Sequence, residues 1–90
     1  MYTINYNTRE LTLSYNGCAY LFNLDDGDTG DYWNSFEHNG ETLDVNFSQE
    51  DEHQVPSLSV YHLDKDGYID MNTLEEIEFG GFIGDSKNYF

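Results

Sequence analysis

Basic residues are nearly missing from this chain. Arg9, Lys65 and Lys87 stand against eighteen aspartates and glutamates, a formal net charge of -15 over 90 residues. Such a surface repels phosphate, so direct binding to nucleic acid or to an anionic membrane is not expected, and a basic protein partner is. Cysteine is as scarce: Cys18 alone forms no intrachain disulfide, and His38, His53 and His62 fall at no zinc-finger spacing. A reducing compartment, the cytoplasm, is expected. The longest apolar run, CAYLF, is far too short to cross a bilayer, and MYTINYNTRE lacks the basic and apolar regions of a secretion signal.

Leu, Ile, Val and Phe together number 21 of 90, close to the range in which acidic chains stay disordered. Eight tyrosines and Trp33 enlarge the surface that folding can bury, and tip the balance to a folded chain. This length holds one core, so residues 1–90 are read as a single small acidic domain.

Period-two alternation places Tyr2, Ile4 and Tyr6 on one face of a strand, and Leu11, Leu13 and Tyr15 on one face of the next. A turn near Asn7 to Arg9 joins them. Asn16-Gly17 is a two-residue hairpin signal, and CAYLFNL behind it reads as the central strand of a meander, with Cys18 a small buried hydrophobe. DDGDTGD is a solvated loop. In DYWNSFEHNG, a capping Asp31, aromatics at Tyr32, Trp33 and Phe36, and a stop at Asn39-Gly40 predict a short helix. ETLDVNF and SLSVYHL return to alternation around an acidic loop closed by Pro56, and YIDM is strand-like. TLEEIEF suggests a second short helix. GGFIGDSKNYF follows as a strand or a tail anchored by Phe82, Ile83 and Phe90. YNTRELTLSYN and HNGETLDVNFS echo one another, as two hairpins built by the same rules. The expected fold is α+β: mostly antiparallel sheet in hairpins and meanders, with one or two short helices.

DKDGYIDMNTLEE resembles the opening of an EF-hand loop, with Asp64, Asp66 and Asp70 at ligand-like places. Gly67 follows Asp66 directly, Thr73 stands where the closing Glu belongs, and no amphipathic helix precedes the loop. The reading adopted is a β-turn from Asp64 to Gly67, with no metal or other cofactor. Catalysis is not expected either. Asp25/Asp26 looks solvated, no serine sits in a nucleophile elbow, and GGFIG lacks the lysine and helix of a phosphate loop.

Recognition remains. The acids fall in clusters: Asp25, Asp26, Asp28 and Asp31; Glu50, Asp51 and Glu52; Asp64, Asp66 and Asp70; Glu75, Glu76 and Glu78. Same-face residues on a strand lie about 6.8 Å apart, comparable to two rises along a nucleic-acid strand. In size, acidity and aromatic β-rich make-up the chain resembles phage-encoded DNA-mimic inhibitors, of the anti-CRISPR and anti-restriction type. That resemblance implies a noncatalytic inhibitor, at work in the host cytoplasm, that binds a nucleic-acid-binding protein and blocks its substrate site. Asp25, Asp26, Asp28, Asp31, Glu50, Asp51, Glu52, Asp64 and Asp66 would carry the charge, with Tyr32 and Trp33 as anchors. The alternatives are an immunity or antitoxin protein that neutralises a basic toxin, a calcium-binding module, and a halophile protein whose acids form an even hydration coat. A monomer and a homodimer both fit.

Overall fold

The structure, a computed structural model, describes residues 1–26 and 30–90. It is mostly β: two four-stranded sheets, with no α-helix among the described residues. The first sheet has the order β3-β2-β1-β8, formed by Cys18–Asn23, Glu10–Tyr15, Tyr2–Asn5 and Phe79–Ile83. The second has the order β4-β5-β6-β7, formed by Asp31–His38, Glu41–Ser48, Ser57–His62 and Glu75–Ile77. The second sheet is antiparallel throughout. The first is mixed, because β1 and β8 run parallel.

Alternation decides which residues face inward. Tyr2, Ile4, Leu11 and Leu13 from the first sheet and Leu43, Val45, Phe47 and Leu58 from the second are nearly inaccessible and form one core. Aromatic rings stitch the sheets together: Tyr15 meets Phe36 edge-on at 5.9 Å, and Phe22 meets Tyr32 at 6.3 Å. Buried hydroxyls are satisfied across the same interior, Tyr2 donating to the Pro56 carbonyl and Tyr6 to Gln49 Oε1. The echoing hairpins do follow the same rules. Leu11, Leu13 and Tyr15 occupy in β2 the place that Leu43, Val45 and Phe47 occupy in β5, each strand lying inside its sheet.

The expected helix over Asp31–His38 is strand β4. Tyr32, Phe36 and His38 are all buried at period two, and Phe36 reaches across to β2 and β3. Asn39-Gly40, expected to stop a helix, instead turns a hairpin into β5, with φ of 51° and 79°. TLEEIEF is no helix either: Glu75–Ile77 pairs with β6, and helical structure near it is a 3-10 turn at Met71–Thr73 capped by Asp70. CAYLFNL is an edge strand and not a central one; alternation turns Ala19 and Leu21 to water opposite Ser14 and Thr12, and Cys18, beside the turn, is exposed. As extended structure YIDM contributes the bridge of Ile69 to Leu63 and the hydrogen bond from the Asp70 amide to the His62 carbonyl. In the C-terminal segment Tyr89 is the buried anchor, packed on Phe47 and Tyr6, whereas Phe82, Ile83 and Phe90 are exposed.

Candidate partner-binding surface

The second sheet turns one face to the core and the other to solvent. Register assigns the outward residues: Asp31, Trp33, Ser35 and Glu37 on β4; Thr42, Asp44 and Asn46 on β5; Ser59 and Tyr61 on β6; Glu76 on β7. Four carboxylates thus share one face. Within it Trp33, nearly half exposed, stacks on Tyr61 with ring centroids 5.8 Å apart and planes 27° from parallel. Tyr61 is buried yet outside the core cluster, consistent with cover from the outer side. Asn46, directly opposite Trp33, donates through Nδ2 to Asp31 Oδ1 at 2.9 Å and to the Tyr32 carbonyl at 3.3 Å, which fixes the Asp31 carboxylate.

Two acidic ends flank this face. Where β5 finishes and β4 begins, Gly30, Asp31, Ser48 and Glu50 line a shallow depression, and the Gln49 amide donates to the Gly30 carbonyl. Glu50, Asp51 and Glu52 follow in a loop held by its own hydrogen bonds: Asp51 Oδ1 accepts from the amides of His53 and Gln54, and the Glu50 amide donates to Gln54 Oε1. Asp64 and Asp66 lie past the end of β6, where His62 meets Glu41 at 2.6 Å. The eight residues of β5 separate these two ends by about 24 Å. Asp31 and Glu50 are therefore brought together, and Asp64 and Asp66 are kept apart from them.

The remaining site residues divide. Asp25 pairs with Arg9 at 2.9 Å on the edge of the first sheet, and Asp26 belongs by its backbone to the 3-10 turn at Leu24–Asp26. Asp28 lies outside the described residues. Tyr32 is 1% exposed and faces the interior, so its ring is core and not a surface anchor, whereas Trp33 is well placed for contact. Asp64 to Gly67 forms the turn of a hairpin: Asp64 Oδ1 accepts from the amides of Asp66 and Tyr68, and Gly67 has φ of 85°. Among the described residues no cluster of three or more His, Cys, Asp or Glu is arranged around a metal position. Glu37, Asp44 and Tyr61 were not among the expected site residues. Alternation in ETLDVNF already puts Asp44 opposite Leu43 and Val45; Glu37 and Tyr61 needed the strand pairing.

Charge on this surface is little compensated. Among the described residues Arg9–Asp25 is the one ion pair involving lysine or arginine; Glu41 and Glu52 meet histidines. The titrations that burial perturbs belong to tyrosines of the first sheet and its hairpin. Loss of solvation pushes the Tyr2 hydroxyl strongly up and that of Tyr6 up as well. Tyr15 is raised by desolvation and by the neighbouring Glu75, to which its hydroxyl donates. Elsewhere, a cavity of about 210 Å³ lies beneath the 49–56 loop, walled by Tyr6, Pro56, Phe79 and Phe82. Comparison with protein-family models, with curated proteins and with solved structures found no match to this chain.

Proposed function

We propose that this protein is a noncatalytic inhibitor that occupies the nucleic-acid site of a basic protein, such as a defence nuclease or a CRISPR complex, by presenting carboxylates in place of phosphates. One observation carries the reading. The outer face of the second sheet displays Asp31, Glu37, Asp44 and Glu76, whereas the strands of the first sheet show one outward acid, Glu10. A halophile's hydration coat would be even. Along β4, Asp31 and Glu37 share a face about 20 Å apart, and acids at both ends extend the row. The body is 40 Å long, slightly more than one turn of duplex at about 34–36 Å. A partner built to neutralise a row of phosphates would find here a comparable density of fixed negative charge. The relevant compartment is the cytoplasm of the cell that holds the target.

The test is affinity capture on the tagged protein from a host lysate, with and without excess duplex DNA. It is repeated with Asp31→Lys, Glu37→Lys and Asp44→Lys combined, and with Thr3→Lys, Thr12→Lys and Ser14→Lys combined on the other sheet. A nucleic-acid-binding protein that DNA displaces, and that only the first triple variant fails to retain, supports mimicry. Affinity should fall on the order of a hundredfold, with a shallower salt dependence, because several attractive contacts become repulsive. Retention insensitive to both DNA and the first reversal sinks mimicry and points to an immunity-type contact.

A further inference from the structure

On the solvent-facing side of the second sheet two aromatic rings stack, and one of them, Tyr61, is buried outside the core. Trp33 and Tyr61 belong to β4 and β6, and their rings close over the strand between them, above the register positions of Asp44 and Asn46. Asp44 is directly opposite Tyr61, and Asp31 precedes Trp33 by two residues on the same face. With Tyr61 buried against it, the half-exposed indole stands beside the register positions of two carboxylates. One of these, Asp31, is already oriented by Asn46. None of the chain's own cations stands on this face: Arg9 is engaged with Asp25 beside the first sheet, Lys65 lies in the hairpin beyond β6, and Lys87 in the 3-10 turn Ser86–Asn88.

We propose that this stack is the docking point for an arginine side chain of the partner, the guanidinium lying on Trp33 and donating to Asp31 and Asp44. The inference rests on the proposed inhibitor reading, to which it adds the residue type that is recognised. Charge complementarity selects a cation, since four carboxylates share the face. Flatness selects arginine over lysine: a guanidinium stacks on an indole, is weakly hydrated, and presents paired N–H groups to carboxylates, whereas an ammonium is a compact, strongly hydrated point charge. A neutral saccharide would also stack on the indole but would gain nothing from the charge.

Trp33 is the only tryptophan in the sequence, so intrinsic fluorescence reads this site directly. The full chain is titrated at low salt with end-blocked tetra-arginine, with tetra-lysine and with a neutral tetrasaccharide. The expected result is saturable change in Trp33 emission with tetra-arginine, about tenfold tighter than with tetra-lysine, and none with the saccharide. Asp44→Asn and Asp31→Asn should each weaken the arginine response several-fold at unchanged melting temperature. Equal response to both peptides, no response to either, or saturation by the saccharide alone overturns the inference. Against the captured partner, Trp33→Ala should cost at least tenfold in affinity, as hot-spot aromatics do. A partner that DNA displaces but whose affinity Trp33→Ala leaves within about twofold would overturn the arginine dock and leave mimicry standing. A selective arginine response without any DNA-displaced partner would do the reverse.

Discussion

Toward water the first sheet shows Thr3, Thr12 and Ser14 on its inner strands, with Leu21 and Ile83 on its edges; the second shows Asp31, Glu37, Asp44 and Glu76 around the Trp33–Tyr61 stack. Their inner faces are alike, each a set of aliphatic and aromatic residues near zero exposure. An outward strand position needs only a residue that tolerates the pleat and water, and the first sheet meets that need almost wholly with neutral residues, Glu10 being its one outward acid. Each of the four acids stands opposite a neutral residue, yet like charges gathered on one face still repel and work against the compact state. Stability is thus no reason for the acids of the second sheet, and the proposed contact with a cationic partner would supply one.

The largest effect tests the shared interior. Leu13→Ala and Phe47→Ala remove side chains that are wholly inaccessible, one from each sheet. Each should cost about 3–5 kcal/mol, read as a urea midpoint. Coincident transitions in both variants are expected; loss of one sheet's signal ahead of the other would break the picture of a single core. Next comes alkaline pH. An unfolded tyrosine ionises near pH 10. Tyr2, Tyr6 and Tyr15 hold their protons to higher pH in the folded chain, so the unfolded chain binds fewer protons above that point. Stability should be intact below about pH 10 and fall as pH rises further. Urea midpoints with tyrosinate absorbance check this, and a midpoint unchanged well above pH 10 would refute it.

Gly30→Ala probes the tie between the start of β4 and the acidic loop. Its φ is 88°, and an added Cβ would stand 2.7 Å from the Gln49 carbonyl oxygen, so about 1–3 kcal/mol should be lost. Gly17→Ala on the first sheet has the same strain and open space around it, and should cost less. Smallest is the salt response. Raising ionic strength from about 10 to 150 mM should stabilise the wild type by less than about 1 kcal/mol through screening. Glu37→Gln with Glu76→Gln should flatten that dependence, whereas Glu10→Gln on the first sheet should barely alter it.

Strands β1, β2, β5 and β6 were legible because they alternate cleanly, and the turn from β2 to β3 because Asn16-Gly17 marks a place where positive φ is required. Strand β4 was not. Tyr32 and Phe36 are four apart, a spacing that helix and strand share, and exposed Asn34 interrupts the inward alternation between them. Asp31 and Asn39-Gly40 are also double signals, a cap and a stop for one structure and turn residues for the other. That misreading hid Glu37 and aimed Tyr32 at the wrong side. The parallel β1–β8 pair has no local signature, since Phe79–Ile83 is short and glycine-rich and its partner lies at the far end of the chain. Cys18 was assigned to the interior from the apolar letters around it, though an edge strand next to its turn leaves such a residue wet.

The β1–β8 pairing also constrains the order of events in synthesis. β1 is an inner strand, but only one of its neighbours, β2, follows it promptly; the other, β8, comes after five further strands. During translation the first hairpins can form early while one edge of β1 waits, with Tyr2 and Tyr6 lacking Phe79, Phe82 and Tyr89 against them. Closing so long a loop slows the final step, as it does wherever distant segments must meet. The nascent chain therefore carries an unpaired strand edge until β8 has emerged, and its heavy negative charge keeps copies apart through that interval.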